Sequence, residues 1–229
     1  MLFVIIIGFM LISMLVGFAL KNRFAAYSKI PLRSGLSGKE VAERMLRENG
    51  LHDVQVTCVP GHLSDHYNPA DRTINLSPDV YNGRHVAAAA VAAHECGHAV
   101  QHATSYPFLQ FRSAMVPVVN FSSRIINFIF IASLMGAFAF HWFSFDWALL
   151  IIIACQGAIT LFSLVTLPVE FDATGRGLAW LNQTGLTHGE EHTKASKALS
   201  LAATTYVVAA LSSLTVLLYY ILQYLGSRD

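Results

Sequence analysis

His94-Glu95-Cys96-Gly97-His98 is the stretch around which the chain is organised. Two histidines four residues apart fall on one face of an α-helix, one turn and ~6 Å apart along its axis. That spacing lets both imidazoles reach a single Zn2+ at about 2.0–2.1 Å. Glu95 stands beside the metal position without being placed to ligate it, so its carboxylate can take a proton from a zinc-bound water. Cys96 points about 200° away from His94 on such a helix and reads as packing. The preceding run, Val86-Ala87-Ala88-Ala89-Ala90-Val91-Ala92-Ala93, is apolar and strongly helix-forming, so the helix should be buried from about Gly83 to Ala103. A buried His-Glu-His cluster without a partner is costly, and a metal ion removes that cost. The competing reading, histidines that are only hydrogen-bonded in a buried helix, leaves it in place. Gly97 is read as leaving room above the site.

The rest of the chain sets this helix in a membrane protein. Of the 229 residues 54% are hydrophobic and only 13% are charged, about half the charged fraction of an ordinary soluble domain. A formal net charge of +1 offers no basis for a nucleic-acid partner. Cys58, Cys96 and Cys155 are an odd number without paired spacing, which fits a reducing compartment rather than a disulfide framework.

Residues 1–20 are a continuous apolar run of spanning length. Nothing charged precedes them, unlike a cleaved secretory signal. Lys21 and Arg23 follow at once and place the N-terminus outside. Residues 21–113 are then cytoplasmic, and further spans are expected at 117–140, 147–167 and 201–225. Arg124 in the second span either snorkels or lines a wet cavity. The connector His141–Phe145 lacks Lys and Arg, and Trp142 and Trp147 suit an interface belt. Residues 168–200 carry Arg176, Lys194 and Lys197 and return to the cytoplasm. Ser212, Ser213 and Thr215 in the last span are suited to helix contacts.

Within 21–113, Ser37-Gly38-Lys39-Glu40 opens a capped amphipathic helix with Val41, Ala42, Met45 and Leu46 inward, ending near Asn49-Gly50. Val54, Val56 and Cys58 alternate with polar residues, Asp65 to Asp71 reads as a turn, and Arg72–Leu76 alternates again. The expectation is a small antiparallel sheet leading into the motif helix. Arg72–Leu76 is either an edge strand that holds a substrate backbone by strand addition or a plain structural hairpin. The fold class is therefore α+β, mainly α: an integral membrane protein with about four transmembrane helices and a small cytoplasmic zincin-like domain.

A catalytic zinc needs three protein ligands. His102 continues the same straight helix another turn beyond His98, and Ala99-Val100-Gln101 contains no break to bend it back. It reads as a neighbour of the site or a surface residue. Glu170, in Leu167-Pro168-Val169-Glu170-Phe171-Asp172, follows a span that must return to the cytoplasmic face, and it is the better third ligand. An ordinary interfacial carboxylate is the alternative. Asp172 is a supporting partner of the site or the i,i+4 partner of Arg176. His188 and His192, in a polar stretch, are weaker candidates.

Asp65-His66-Tyr67-Asn68-Pro69, Ile74-Asn75-Leu76-Ser77-Pro78-Asp79-Val80-Tyr81, the HECGHAVQ run from His94 to Gln101 and Pro168-Val169-Glu170-Phe171-Asp172-Ala173 together resemble the YugP-type membrane-bound neutral zinc metallopeptidases of bacteria. The general layout is similar to the HtpX and CAAX-prenyl protease group, in which two zinc histidines and a distant Glu flank a transmembrane hairpin and the site opens to the cytoplasm. The resemblance implies that His94, His98 and Glu170 ligate Zn2+ and that Glu95 is the general base. In the related group an Asp often follows the ligand Glu by four residues; here Thr174 holds that position and the Asp is at 172. The same resemblance suggests Arg176 as the catalytic group that holds the oxyanion. The expected activity is hydrolysis of a peptide or protein, membrane proteins included, by a multi-pass enzyme in the lipid bilayer. Cleavage within the bilayer and non-catalytic zinc binding are the alternatives. The first would need an Asp-Gly motif in a later span, the second acidic or histidine ligands within the spans.

Overall fold

The computed structural model describes residues 1–135 and 144–227; residues 136–140 of the expected second span and the connector residues 141–143, with Trp142, lie outside the described residues. In chain order the elements are α1 (Leu2–Tyr27), α2 (Gly38–Glu48), β1 (Gln55–Cys58), β2 (His66–Asn68), β3 (Thr73–Leu76), α3 (Pro78–Tyr81), α4 (Val86–Ala103), α5 (Pro107–Leu134), α6 (Phe145–Gln183) and α7 (Glu190–Gly226). Among the described residues, α1, α5, α6 and α7 are long and apolar enough to cross a membrane. At 1.5 Å per residue, the 39 residues of α6 rise about 58 Å, close to twice the ~30 Å hydrocarbon core of a bilayer. The helix continues through Pro168 without a break.

The contacts divide the chain into two units. The first comprises Met1–Met14, Gln110–Leu167 and Tyr206–Asp229. Phe3, Phe121, Phe128, Phe130, Leu218 and Leu222 are exposed on it, an apolar surface suited to lipid rather than water. One polar cluster in it is paired between helices: Gln156 Nε2 donates to Ser213 Oγ at 3.1 Å, and the Thr160 and Ser213 hydroxyls lie 2.9 Å apart. Such a pair gives the amide and the hydroxyls partners that hydrocarbon could not supply.

The second unit, Leu15–Leu109 with Pro168–Thr205, is built around α4. Ala87–Ala90, Ala92 and Ala93 are fully buried, and their small side chains let neighbouring elements lie close. Its helix starts at the N-cap His85, whose Nδ1 accepts from the Ala88 N–H at 3.0 Å. The α2 helix packs on it through Val41, Ala42, Met45 and Leu46, all buried. Its start is the expected capping box: Ser37 N–H donates to Glu40 at 2.7 Å and Glu40 N–H to Ser37 Oγ at 3.3 Å. Asn49 closes it, followed by Gly50 at φ +72°.

The sheet departs from expectation in two ways. It is mixed, in the order β1-β3-β2, with β1 parallel and β2 antiparallel to β3. The stretch read as a turn contains a strand, His66–Asn68, and Thr73–Leu76 is the central strand rather than an edge. With both sides of β3 paired, strand addition there is impossible. Alternation cannot distinguish these positions, since Ile74 and Leu76 are inward and fully buried in either arrangement.

Candidate metal centre

Two glycines decide where α6 runs. A Cβ on Gly97 would lie 2.4 Å from the Ala173 carbonyl oxygen, and one on Gly177 would lie 2.8 Å from that of Ala93. The space beside Gly97, expected above the site, is therefore filled by the backbone of α6. Contact at this range brings Glu170, 2% exposed, onto the histidine face of α4.

His94 Nε2 lies 3.4 Å and His98 Nε2 3.5 Å from Glu170 Oε2. The imidazole centroids are 4.8 Å apart with the rings at 83°. One donor atom from each residue falls within 4.8 Å of the others, so the three could hold one metal ion; among the described residues this is the group of its kind. Neither His102 nor His188 nor His192 belongs to it.

The outer nitrogens explain why the inner ones face the cluster. His94 Nδ1 is 3.1 Å from Thr174 Oγ1, and His98 Nδ1 is 3.0 Å from Gln101 Oε1. With Nδ1–H donating to these oxygens, each Nε2 keeps its lone pair for a cation. Two neutral imidazoles and one carboxylate are the donor set of a catalytic zinc site, so these residues fit the ion. Without a metal, burial works against a charged His98, but Glu170, Glu95 and Gln101 more than offset this and raise its pKa above the usual imidazole value.

Glu95 is 8% exposed and is not part of the cluster. Its Oε2 accepts from the Tyr67 N–H at 3.0 Å. That N–H points off the sheet, so the outer edge of β2 faces the Glu95 carboxylate. The Tyr67 hydroxyl lies 2.8 Å from His102 Nδ1. His102 is thus a neighbour of the site through Tyr67.

Asp172 accepts from Gln101 Nε2 at 2.8 Å and from Arg176 Nε at 2.6 Å. Asp172 thus meets Gln101, the partner of His98, and forms the i,i+4 pair with Arg176. The Arg176 guanidinium also lies 5.8 Å over the Tyr106 ring. Thr174 fills, as a hydroxyl, the position four residues after Glu170. The sequence singles out neither Gln101 nor Tyr67, and Thr174 only as the residue four positions after Glu170. A polar side chain three residues after His98 on an alanine-rich buried helix was the available signal for Gln101, while Tyr67 was hidden by reading its strand as a turn.

Residues 2–225 match the family model described as "Putative neutral zinc metallopeptidase". A protein of Bacillus subtilis (strain 168) described as "Putative membrane protease YugP" is 42% identical over 212 residues, 93% of this chain and 91% of that protein. No solved structure matches the chain.

Proposed function

We propose, from the premise that the chain belongs to the family described as "Putative neutral zinc metallopeptidase", that it is a membrane-embedded zinc endopeptidase whose site opens at the cytoplasmic face. The observation that carries this reading is the convergence of His94, His98 and Glu170 with the Glu95 carboxylate on the adjacent position of the same helix. A zinc ion held by the three ligands supplies a Lewis acid and acidifies water toward neutrality. Glu95 takes the proton of the attacking water and delivers it to the leaving amine. The Tyr67 N–H holds that carboxylate in place between the ligand face and β2. An extended peptide aligns along the outer edge of β2, beside the bond between the Tyr67 N–H and Glu95, where main-chain groups supply binding without demanding a particular side-chain sequence. Arg176 serves Asp172 in the present arrangement; to reach an oxyanion its guanidinium would leave that carboxylate. The reading covers unfolded proteins and membrane proteins as substrates.

The test is cleavage of an unfolded protein by the detergent-purified chain, with and without a chelator, beside Glu95→Gln. The expected result is zinc-dependent cleavage that falls at least ~100-fold in kcat in the variant, with bound zinc unchanged. Equal cleavage by both proteins would remove Glu95 from the chemistry. A wild type that binds zinc and cleaves nothing would favour non-catalytic metal binding.

A further inference from the structure

Gln101 is fully buried, and all its polar capacity is spent between two helices. Its Nε2 donates to the Val169 carbonyl and to Asp172 Oδ2, each at 2.8 Å, and its Oε1 faces His98 Nδ1 at 3.0 Å. The amide has only one orientation that works. Turned over, its oxygen would face a carbonyl and a carboxylate, two acceptors with no proton between them. Asp172 is held in turn by Arg176 at 2.6 Å.

We infer that Gln101 is a positioning residue that sets the proton of His98 on Nδ1 and ties the His98 ligand to the segment carrying Glu170. The argument needs no titration. An amide whose NH2 group is committed to two acceptors must present its oxygen to His98, and that oxygen accepts only from Nδ1–H. The free lone pair is then on Nε2, 3.5 Å from Glu170 Oε2. The second donor bond ends on Val169, the residue next to Glu170, so one buried side chain fixes the orientation of one ligand and the approach of another. Thr174 cannot do this at His94, because a hydroxyl rotates and accepts or donates at will. This inference rests on the metal-site reading above.

The experiment uses full-length protein in detergent. Zinc affinity is measured by competition with a chromophoric chelator, and the protonated ring nitrogen of each histidine by 15N-resolved NMR of the zinc-loaded protein. In the wild type His98 is expected as the Nδ1–H form. Gln101→Leu keeps the volume and removes the acceptor; zinc binding should weaken about 10- to 100-fold, and the His98 signals should move to a mixture of tautomers with helix content unchanged. Asp172→Asn leaves Gln101 in place and removes the charge that pins its NH2 group. It should weaken zinc binding less than Gln101→Leu and shift the tautomers in the same direction, and it carries the test if Gln101→Leu does not fold. Folded variants with wild-type zinc affinity and an unchanged His98 tautomer would overturn the role of Gln101 while leaving the zinc site standing. A wild type that binds no zinc would instead overturn the site, and with it this inference.

Discussion

At position 98 the two nitrogens of one imidazole have separate work. Nε2 faces Glu170, and Nδ1 is spoken for by Gln101. The same division holds at His94, with Thr174 outside and Glu170 inside. The chemistry predicts an order of severity among variants. Glu170→Gln removes the only charge among the three donors and should abolish stoichiometric zinc by elemental analysis, whereas Thr174→Val should keep the metal at saturation and weaken its affinity by about tenfold. Equal zinc content in Glu170→Gln and wild type would remove Glu170 from the ligand set.

The α4 and α6 helices meet at two glycines placed on opposite partners, Gly97 beneath Ala173 and Gly177 beneath Ala93. Both close contacts are to backbone, which cannot turn aside as a side chain can. A single methyl group at 97 must therefore push the helices apart, with a cost of ~1–3 kcal/mol for overpacking and a displacement of Glu170 from both histidines. Gly97→Ala is expected to lower both the thermal midpoint and the zinc affinity, whereas a contact that is only structural would lower the first alone. Measuring chelator competition beside thermal unfolding separates these outcomes. Sequence places α4 and a span at 147–167, but neither the continuation of α6 to Gln183 nor this crossing. Gly97 is conspicuous between two ligands, yet what it admits is the backbone of a residue 76 positions later, and no local pattern encodes such a partner.

For the molecule as a whole, the four long apolar helices are those of a membrane protein, and Lys21 and Arg23 after the first of them predict a site on the cytoplasmic side. The native cysteines report on that orientation. Cys58 is exposed, whereas Cys96 and Cys155 are buried, and burial pushes the Cys96 thiol well above its usual range. An impermeant maleimide added to intact cells should leave the chain unlabelled, and permeabilising the membrane should expose one thiol, at Cys58. Labelling of Cys58 in intact cells would put the second unit on the outer side and reverse the orientation drawn from Lys21 and Arg23.

What the sequence determined by itself was local or compositional. The helical spacing of His94 and His98, the carboxylate beside them, the capping box at Ser37 and the four apolar runs depend on residues a few positions apart, and short-range geometry is enough to read them. Glu170 was legible as a candidate because a returning span has few acidic residues to offer. The tertiary structure alone decided the strand order, since alternation gives the inward face of a strand but not its neighbours. That order puts Thr73–Leu76 between the other two strands and sets the outer edge of β2 against Glu95. It also decided the outer partners of the ligands, Thr174 and Gln101, because a hydrogen bond between residues far apart in the chain exists only once two helices have packed at a particular register.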